Sequence, residues 1–270
     1  MLTEKISRRI TLLLLVVLAA ACSQVPISGR QQLNLVSADT LLAASQQQYR
    51  QFLEANTVIR QSTASAQVSE VGQRMAAAVE KYLRDHGRGG EAQQYDWEFN
   101  LVESEEVNAW AMPGGKVAVY SGILPITRDD TGLAVVMGHE IAHVVGRHGN
   151  ERMSQLLVAQ MGGQALAAVL ASKPQASQDL WMRVYGAGAQ VGIMLPYSRL
   201  QESEADRLGL VFMAIAGYDP RAAVDFWQRM AAQKGAGPRA PEFLSTHPAD
   251  QTRIRQIQNF LPEALTFYRP

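Results

Sequence analysis

His139-Glu140-Ile141-Ala142-His143 sets two imidazoles four residues apart with a carboxylate beside the first. In a helix, positions i and i+4 lie one above the other on the same side. His139 and His143 can therefore turn ring nitrogens toward one ion. Zinc accepts such nitrogens at about 2.1 Å, and a catalytic zinc site keeps one position for water. Glu140 lies about 100° round the helix from His139. It can take a proton from that water without being a ligand, as the general base of a hydrolysis. The expected cofactor is one Zn2+ per chain.

Zinc needs a third protein ligand. In the pattern HExxHxxGxxH, Gly146 matches but the next histidine belongs at 149, where glycine stands. His148 is one place short, about 100° off phase, and is set aside as a ligand. It is read as lying by the cleft wall or at the helix end, where an imidazole is favourable. Glu202-Ser203-Glu204-Ala205-Asp206 is the better source. Glu202 offers the carboxylate. Asp206, one turn on and on the same face, can accept the outer N–H of a zinc histidine. Glu204 competes as ligand and faces elsewhere if Glu202 faces in. A solvated first turn, where acids are favoured anyway, is the open alternative for all three.

Further candidates are less specific. His247 lies between helices and can reach a cleft, where it would steady an oxyanion; it can equally be a structural histidine before Pro248. Arg253 can orient Asp206 or a nearby carboxylate, or stand in solvent. Asn108 and the strand Lys116, Val117, Ala118, Val119 and Tyr120 can pair with an extended peptide if they form an exposed sheet edge.

The elements that must hold these residues follow from periodicity. Ser37 caps a helix bearing Leu41, Leu42, Tyr49, Phe52 and Leu53, and Val68 to Leu83 gives a second, ending near His86-Gly87. Period-two alternation then marks strands around Trp97–Leu101, Ala109–Met112 and Lys116–Tyr120, with a turn at Pro113-Gly114-Gly115. These predict a small antiparallel sheet. Thr127 with Asp130 reads as a capping box opening the HExxH helix, and Gly149 as its end. Leu156–Ala171 is read as a helix inside the protein or at a partner surface, Pro174–Asp179 as a loop, and Trp181–Met194 as helical up to Pro196. Glu202–Ile215 is a helix closed by Gly217; Asp219-Pro220 opens another, Lys234–His247 is a loop, and a last helix spans Ala249–Phe260. The fold class is α+β, mostly helical around one small sheet.

Lys5, Arg8 and Arg9 precede an apolar run, Ile10 to Leu18, that is short for a membrane span and suits a secretory signal. Ala19-Ala20-Ala21-Cys22 follows and resembles a lipoprotein signal, in which Cys22 is lipidated; a plain cut near Ala21 or an uncleaved anchor is the alternative. The organisation expected is a signal at 1–21, a linker at 22–36, a single catalytic domain at 37–262 and a tail at 263–270. Basic and acidic residues balance at 25 each, giving no global basic footprint for nucleic acid. A single cysteine excludes an intramolecular disulfide framework and a four-cysteine zinc site.

With HExxH, the downstream ExxAD, Asn108 to Gly115, Gly217-Tyr218-Asp219-Pro220 and Ser245-Thr246-His247-Pro248 in place, the chain resembles the M48 metallopeptidases over roughly residues 25–262. It is closest in kind to their small periplasmic lipoproteins. The resemblance implies a gluzincin-type domain with its sheet packed on the HExxH helix. It implies zinc on His139, His143 and Glu202, Glu140 as base, and His247 facing the substrate carbonyl. It also implies polypeptide substrates of the cell envelope, and a place on the periplasmic side of the outer membrane, which Ser23 after Cys22 favours. A non-proteolytic chaperone or assembly factor, with a latent or gated zinc site and envelope assembly machinery as partner, is the second expectation.

Overall fold

The computed structural model describes residues 22–170, 198–233 and 241–269. In chain order the elements are β1 (Cys22–Gln24), β2 (Gln31–Leu33), α1 (Ala38–Ala55), β3 (Val58–Ile59), α2 (Thr63–Asp85), α3 (Gly89–Ala92), β4 (Glu98–Val102), β5 (Ala109–Met112) and β6 (Lys116–Tyr120). A 3-10 turn over Ser121–Ile123 leads into α4 (Leu124–Thr127), α5 (Asp130–Val145), α6 (His148–Leu170), α7 (Arg199–Ile215), α8 (Ala222–Ala232), α9 (Glu242–Thr246) and α10 (Gln251–Leu265). These residues fall into two units, 22–38 with 149–170, and 39–148 with 198–233 and 241–269.

In the first unit β1 and β2 pair antiparallel, with Ser23 opposite Gln32. The stretch expected to be an extended linker thus forms a hairpin, turned at Gly29 with φ 67°. It is strapped to α6. Arg30 grips both carboxylate oxygens of Glu151 at 2.6 and 2.8 Å, and the Leu35 N–H donates to Ser154 Oγ at 2.8 Å. The helix expected at Leu156–Ala171 falls within α6, and Pro174–Asp179 and Trp181–Met194 lie outside the described residues. No described helix is long and apolar enough to cross a membrane.

The second unit carries the chemistry. Its sheet has the order β3-β4-β6-β5. The outer pairs are antiparallel and β4 runs parallel to β6. Gly114 and Gly115, at φ 85° and 87°, close a β5–β6 hairpin, and the hairpin inserts β6 rather than β5 against β4. Lys116–Tyr120 is therefore not the exposed edge expected of it: β4 and β5 use its main-chain groups on both sides, and Val117, Ala118 and Val119 are wholly buried. β5 is the edge strand on that side.

One face of the sheet takes the aromatic stripe of α1. Tyr49, Phe52 and Leu53 pack with Val102, Trp110, Met112, Ala118 and Tyr120, and the Tyr49 hydroxyl donates to the Val117 carbonyl at 2.7 Å. Residues of opposite parity face the other way, as period two requires. Phe99 lies on α2 over Gly72, where a Cβ would fall 2.3 Å from the ring. α5 packs against β5 and β6.

The caps differ from the expected ones by a few residues. Thr127 ends α4, its hydroxyl bonded to the Leu124 carbonyl; Asp129 caps α5 by accepting from the Gly132 N–H at 2.8 Å. Gly132 is required there, since a Cβ would fall 2.0 Å from the Thr127 carbonyl oxygen. α5 ends at Val145 with Gly146 as its cap, three residues before Gly149. Asp219 accepts from the Arg221 N–H rather than capping a helix, and α8 begins at Ala222. Within Lys234–His247 the described part holds the short α9, and α10 is capped by Asp250 and runs through Pro262 to Leu265.

α5 and α7 make the most extensive helix contact in the unit. A Cβ on Gly209 would lie 2.9 Å from the carbonyl carbon of Gly138 and 3.1 Å from the His139 nitrogen. The two backbones touch because neither residue has a side chain. Gly209→Ala should overpack this contact and cost about 1–3 kcal/mol. Thermal denaturation should show it as a drop of about 2–4 °C per kcal/mol. Gly90→Ala, where nothing lies within 4 Å of the new carbon, should leave the midpoint in place. Equal midpoints for the two variants would mean that the crossing has slack.

Candidate metal centre

His139, Glu140 and His143 sit in the last two turns of α5, a helix buried almost all round. Glu202 and Asp206 sit in the first half of α7, whose start is fixed by a reciprocal Ser198–Gln201 capping box. His247 is the C-cap of α9, its N–H bonded to the Phe243 carbonyl at 2.9 Å. Arg253 stands in the first turn of α10, where its N–H is taken by Asp250 at 2.8 Å. All seven residues are buried, at 2–6% exposure.

The polar atoms converge. His139 Nε2 lies 3.1 Å from His143 Nε2, 3.1 Å from His247 Nδ1 and 3.4 Å from Glu202 Oε2. Glu202 Oε1 lies 3.2 Å from His143 Nε2 and 2.9 Å from His247 Nδ1. One ligand atom from each of His139, His143, Glu202 and His247 fits within 4.8 Å of the others. Bonds of about 2.0–2.1 Å in a tetrahedron give ligand–ligand edges of roughly 3.3–3.4 Å. The observed separations match that cage, and three nitrogens with one carboxylate is a zinc donor set. Imidazole nitrogens facing one another at 3.1 Å also share few protons between them, which a cation resolves.

Around this group the partners are specific. Asp206 Oδ1 lies 3.0 Å from His139 Nδ1. Arg253 holds Asp206 through two bonds of 2.7 and 2.8 Å, reaches Glu202 Oε2 at 2.9 Å, and lies 3.4 Å over the Trp227 ring. Glu140 Oε1 is buried with no hydrogen-bond partner and stands 3.4 Å from His247 Nε2.

The electrostatics pull the site's groups in different directions. Burial alone would raise the Glu202 carboxyl, but the His139 charge and hydrogen bonds from His139, His143 and His247 hold it far below the ordinary carboxylate range. Burial drives His143 well below its usual value, so it is neutral. Burial and the Arg253 charge work against protonated His139, yet Glu202 and Asp206 outweigh them and lift it to about 9. Burial pushes the Glu140 carboxyl up.

The structure thus brings together His139, Glu140, His143, Glu202, Asp206, His247 and Arg253. It does not bring in Asn108, whose carbonyl accepts from the Tyr120 N–H at 3.0 Å, nor the inner strand Lys116–Tyr120. The acids of α7 are not a solvated turn, and Glu204 points away from the cluster toward His148, at 3.4 Å. Sequence reasoning missed Trp227 as the platform under Arg253: its spacing on α8 gives only an apolar stripe. Arg253→Met should strand two buried carboxylates without their cation. In metal-free protein that should cost about 3–5 kcal/mol, a fall in melting midpoint on the order of 10 °C; an unchanged midpoint would show that the guanidinium neutralises neither acid.

The profile of Peptidase family M48 matches residues 62–261, which include every residue of this cluster. The mitochondrial metalloendopeptidase OMA1 of Schizosaccharomyces pombe is 35% identical over 247 residues, 89% of this chain and 66% of that protein. The human metalloendopeptidase OMA1 is 30% identical over 244 residues, 89% of this chain and 46% of its own length. The beta-barrel assembly-enhancing protease of Escherichia coli is 32% identical over 167 residues, 60% of this chain and 34% of that one. The chain spans about a third to two thirds of the length of these curated relatives. With this cluster of metal-ligating donors inside a mostly helical fold, the chain belongs to peptidase family M48.

Proposed function

We propose that the chain is an endopeptidase that hydrolyses misassembled proteins of the cell envelope, with Glu140 as the general base. The observation that carries this reading is the buried Glu140 Oε1, which makes no hydrogen bond beside the His139–His143–Glu202 donor set. A base held ready for a proton has that geometry. His139, His143 and Glu202 would hold the metal. A zinc ion held there would supply Lewis-acid chemistry for the scissile carbonyl and the attacking water. Glu140 takes the proton of that water and returns it to the leaving nitrogen as the C–N bond breaks. His247 presents an N–H to the developing oxyanion. Asp206, itself braced by Arg253, fixes the His139 ring through Nδ1. An extended substrate would lie along the free side of β5, the edge that packs on the zinc helix, with Asn108 at its start.

A second reading is favoured by one distance set. His247 Nδ1 stands 2.9 Å from Glu202 and 3.1 Å from His139. As a fourth ligand it would close the site, since structural zinc sites have four protein ligands and catalytic ones three. The protein would then be latent until His247 moves aside. Three metal-loaded proteins separate these readings in digestion of an unfolded outer-membrane protein. Wild type should cleave and Glu140→Gln should bind zinc without cleaving. His247→Ala should cleave roughly 100-fold more slowly if the imidazole serves the oxyanion, and faster than wild type if it closes the site. Equal digestion by wild type and Glu140→Gln would remove Glu140 from the mechanism.

The choice of envelope substrates rests on the names of the bacterial relatives and on the lipoprotein-like signal before Cys22. We place the mature protein on the periplasmic side of the outer membrane, anchored through Cys22. Labelled palmitate should enter wild type and not Cys22→Ser; incorporation into both, or neither, would argue for another way of holding the chain.

A further inference from the structure

We propose that His148 and Glu204 are positioning residues, a relay that fixes the tautomer and orientation of His143 for metal binding; this rests on His143 being a zinc ligand. His148 Nδ1 lies 3.0 Å from His143 Nδ1, with the rings nearly perpendicular at 78°. On its other side, His148 Nε2 lies 3.4 Å from Glu204 Oε2, a charge contact without a formed hydrogen bond. All three side chains are shut away from water, His148 completely.

The proton positions follow from one fixed end. To give its Nε2 lone pair to a cation, neutral His143 must carry its proton on Nδ1. Two nitrogens 3.0 Å apart share one proton, so His148 accepts at Nδ1. A neutral ring that accepts at Nδ1 carries its own proton on Nε2, which faces the Glu204 carboxylate. The opposite direction would put the His143 proton on Nε2, in the metal position, and turn a bare His148 Nε2 toward an anion. Glu204 therefore selects the tautomer that binds metal. His139 receives the same service directly from Asp206. One helix, α7, orients both zinc histidines.

The backbone is built for this. Past Val145 the chain leaves the helix through Gly146 and through Arg147 at φ 55°. A non-glycine residue in that left-handed region is strained. The turn folds His148 back over the end of α5 instead of letting it continue on the helical phase. A Cβ on Gly146 would fall 2.7 Å from His148 Nε2, although Gly146 itself has an ordinary helical φ of −71°. The glycine is there for the ring.

The test measures zinc affinity of the full chain by chelator competition, with melting midpoints to verify folding. His148→Phe keeps a ring but no acceptor and should weaken zinc binding 10–100-fold. His148→Asn, which keeps an acceptor near the Nδ1 position, should recover most of that. Glu204→Gln should lose part of the affinity, and should add nothing in the His148→Phe background, because the two act in series. A folded His148→Phe protein with wild-type affinity, an Asn variant as weak as Phe, or additive losses would overturn the relay. If His148→Phe does not fold, wild-type affinity in Glu204→Gln overturns it instead. A wild type that shows this graded zinc affinity but cleaves no polypeptide leaves the relay standing and sinks the protease reading alone.

Discussion

The contact of Gly138 with Gly209 is the constraint on which the centre depends. Two helices whose backbones meet without side chains between them have little freedom to slide or roll. The pairs 138–209, 139–206 and 143–202 show the register: as numbers rise on α5 they fall on α7. A slip of one residue moves a helix about 1.5 Å and turns its side chains by about 100°. Either displacement takes Glu202 out of reach of the imidazoles. The ligand geometry is therefore set by a packing contact two turns away from Glu202, at residues that carry no chemistry.

Burial makes the cluster an all-or-nothing arrangement. Glu140, Glu202, Glu204, Asp206, four histidines and Arg253 are each no more than 6% exposed. A lone carboxylate in such a place would be protonated or would exclude the fold. Here each acid of α7 has a named partner. Glu202 has the three converging imidazoles, Glu204 has His148, and Asp206 has His139 and Arg253. The guanidinium is in turn held flat on Trp227. Glu140, on α5, has its Oε1 buried without a hydrogen bond, and it sits where a base is wanted.

How much of this was legible in the sequence follows from the range of each interaction. HExxH and ExxAD are local patterns on helices, so spacing alone put their side chains on common faces, and the structure joins those faces. Strand order is not local. The period-two pattern of Lys116–Tyr120 marks a strand equally well at an edge or in the middle, and only the insertion of the β5–β6 hairpin beside β4 decides it. The N-terminal cap of α5 shows a near miss of another kind: Thr127 and Asp130 match a capping box, but Thr127 already ends α4, and the missing Cβ of Gly132 lets Asp129 fold over instead. His148 was judged on an ideal helical phase that stops at Gly146. The turn at Arg147 sets its ring against His143 Nδ1, a place that phase arithmetic has no means to show.

The ligands differ in how firmly they are held, and that difference bears on what His247 does. His139, His143 and Glu202 ride on helices of 16 and 17 residues that are packed on most sides. His247 caps a helix of five residues. The amino end of that short helix is tied by its Phe243 N–H to the Val107 carbonyl at 3.1 Å, and Val107 is in the loop that leads into β5. That hydrogen bond links the short helix bearing His247 to the loop before the edge strand. Three donors are fixed by the core, and the fourth is fixed by a segment continuous with the surface along which an extended chain would pair. A closed four-donor site and an open three-donor site would then differ in that one segment alone, with the crossing of α5 and α7 common to both.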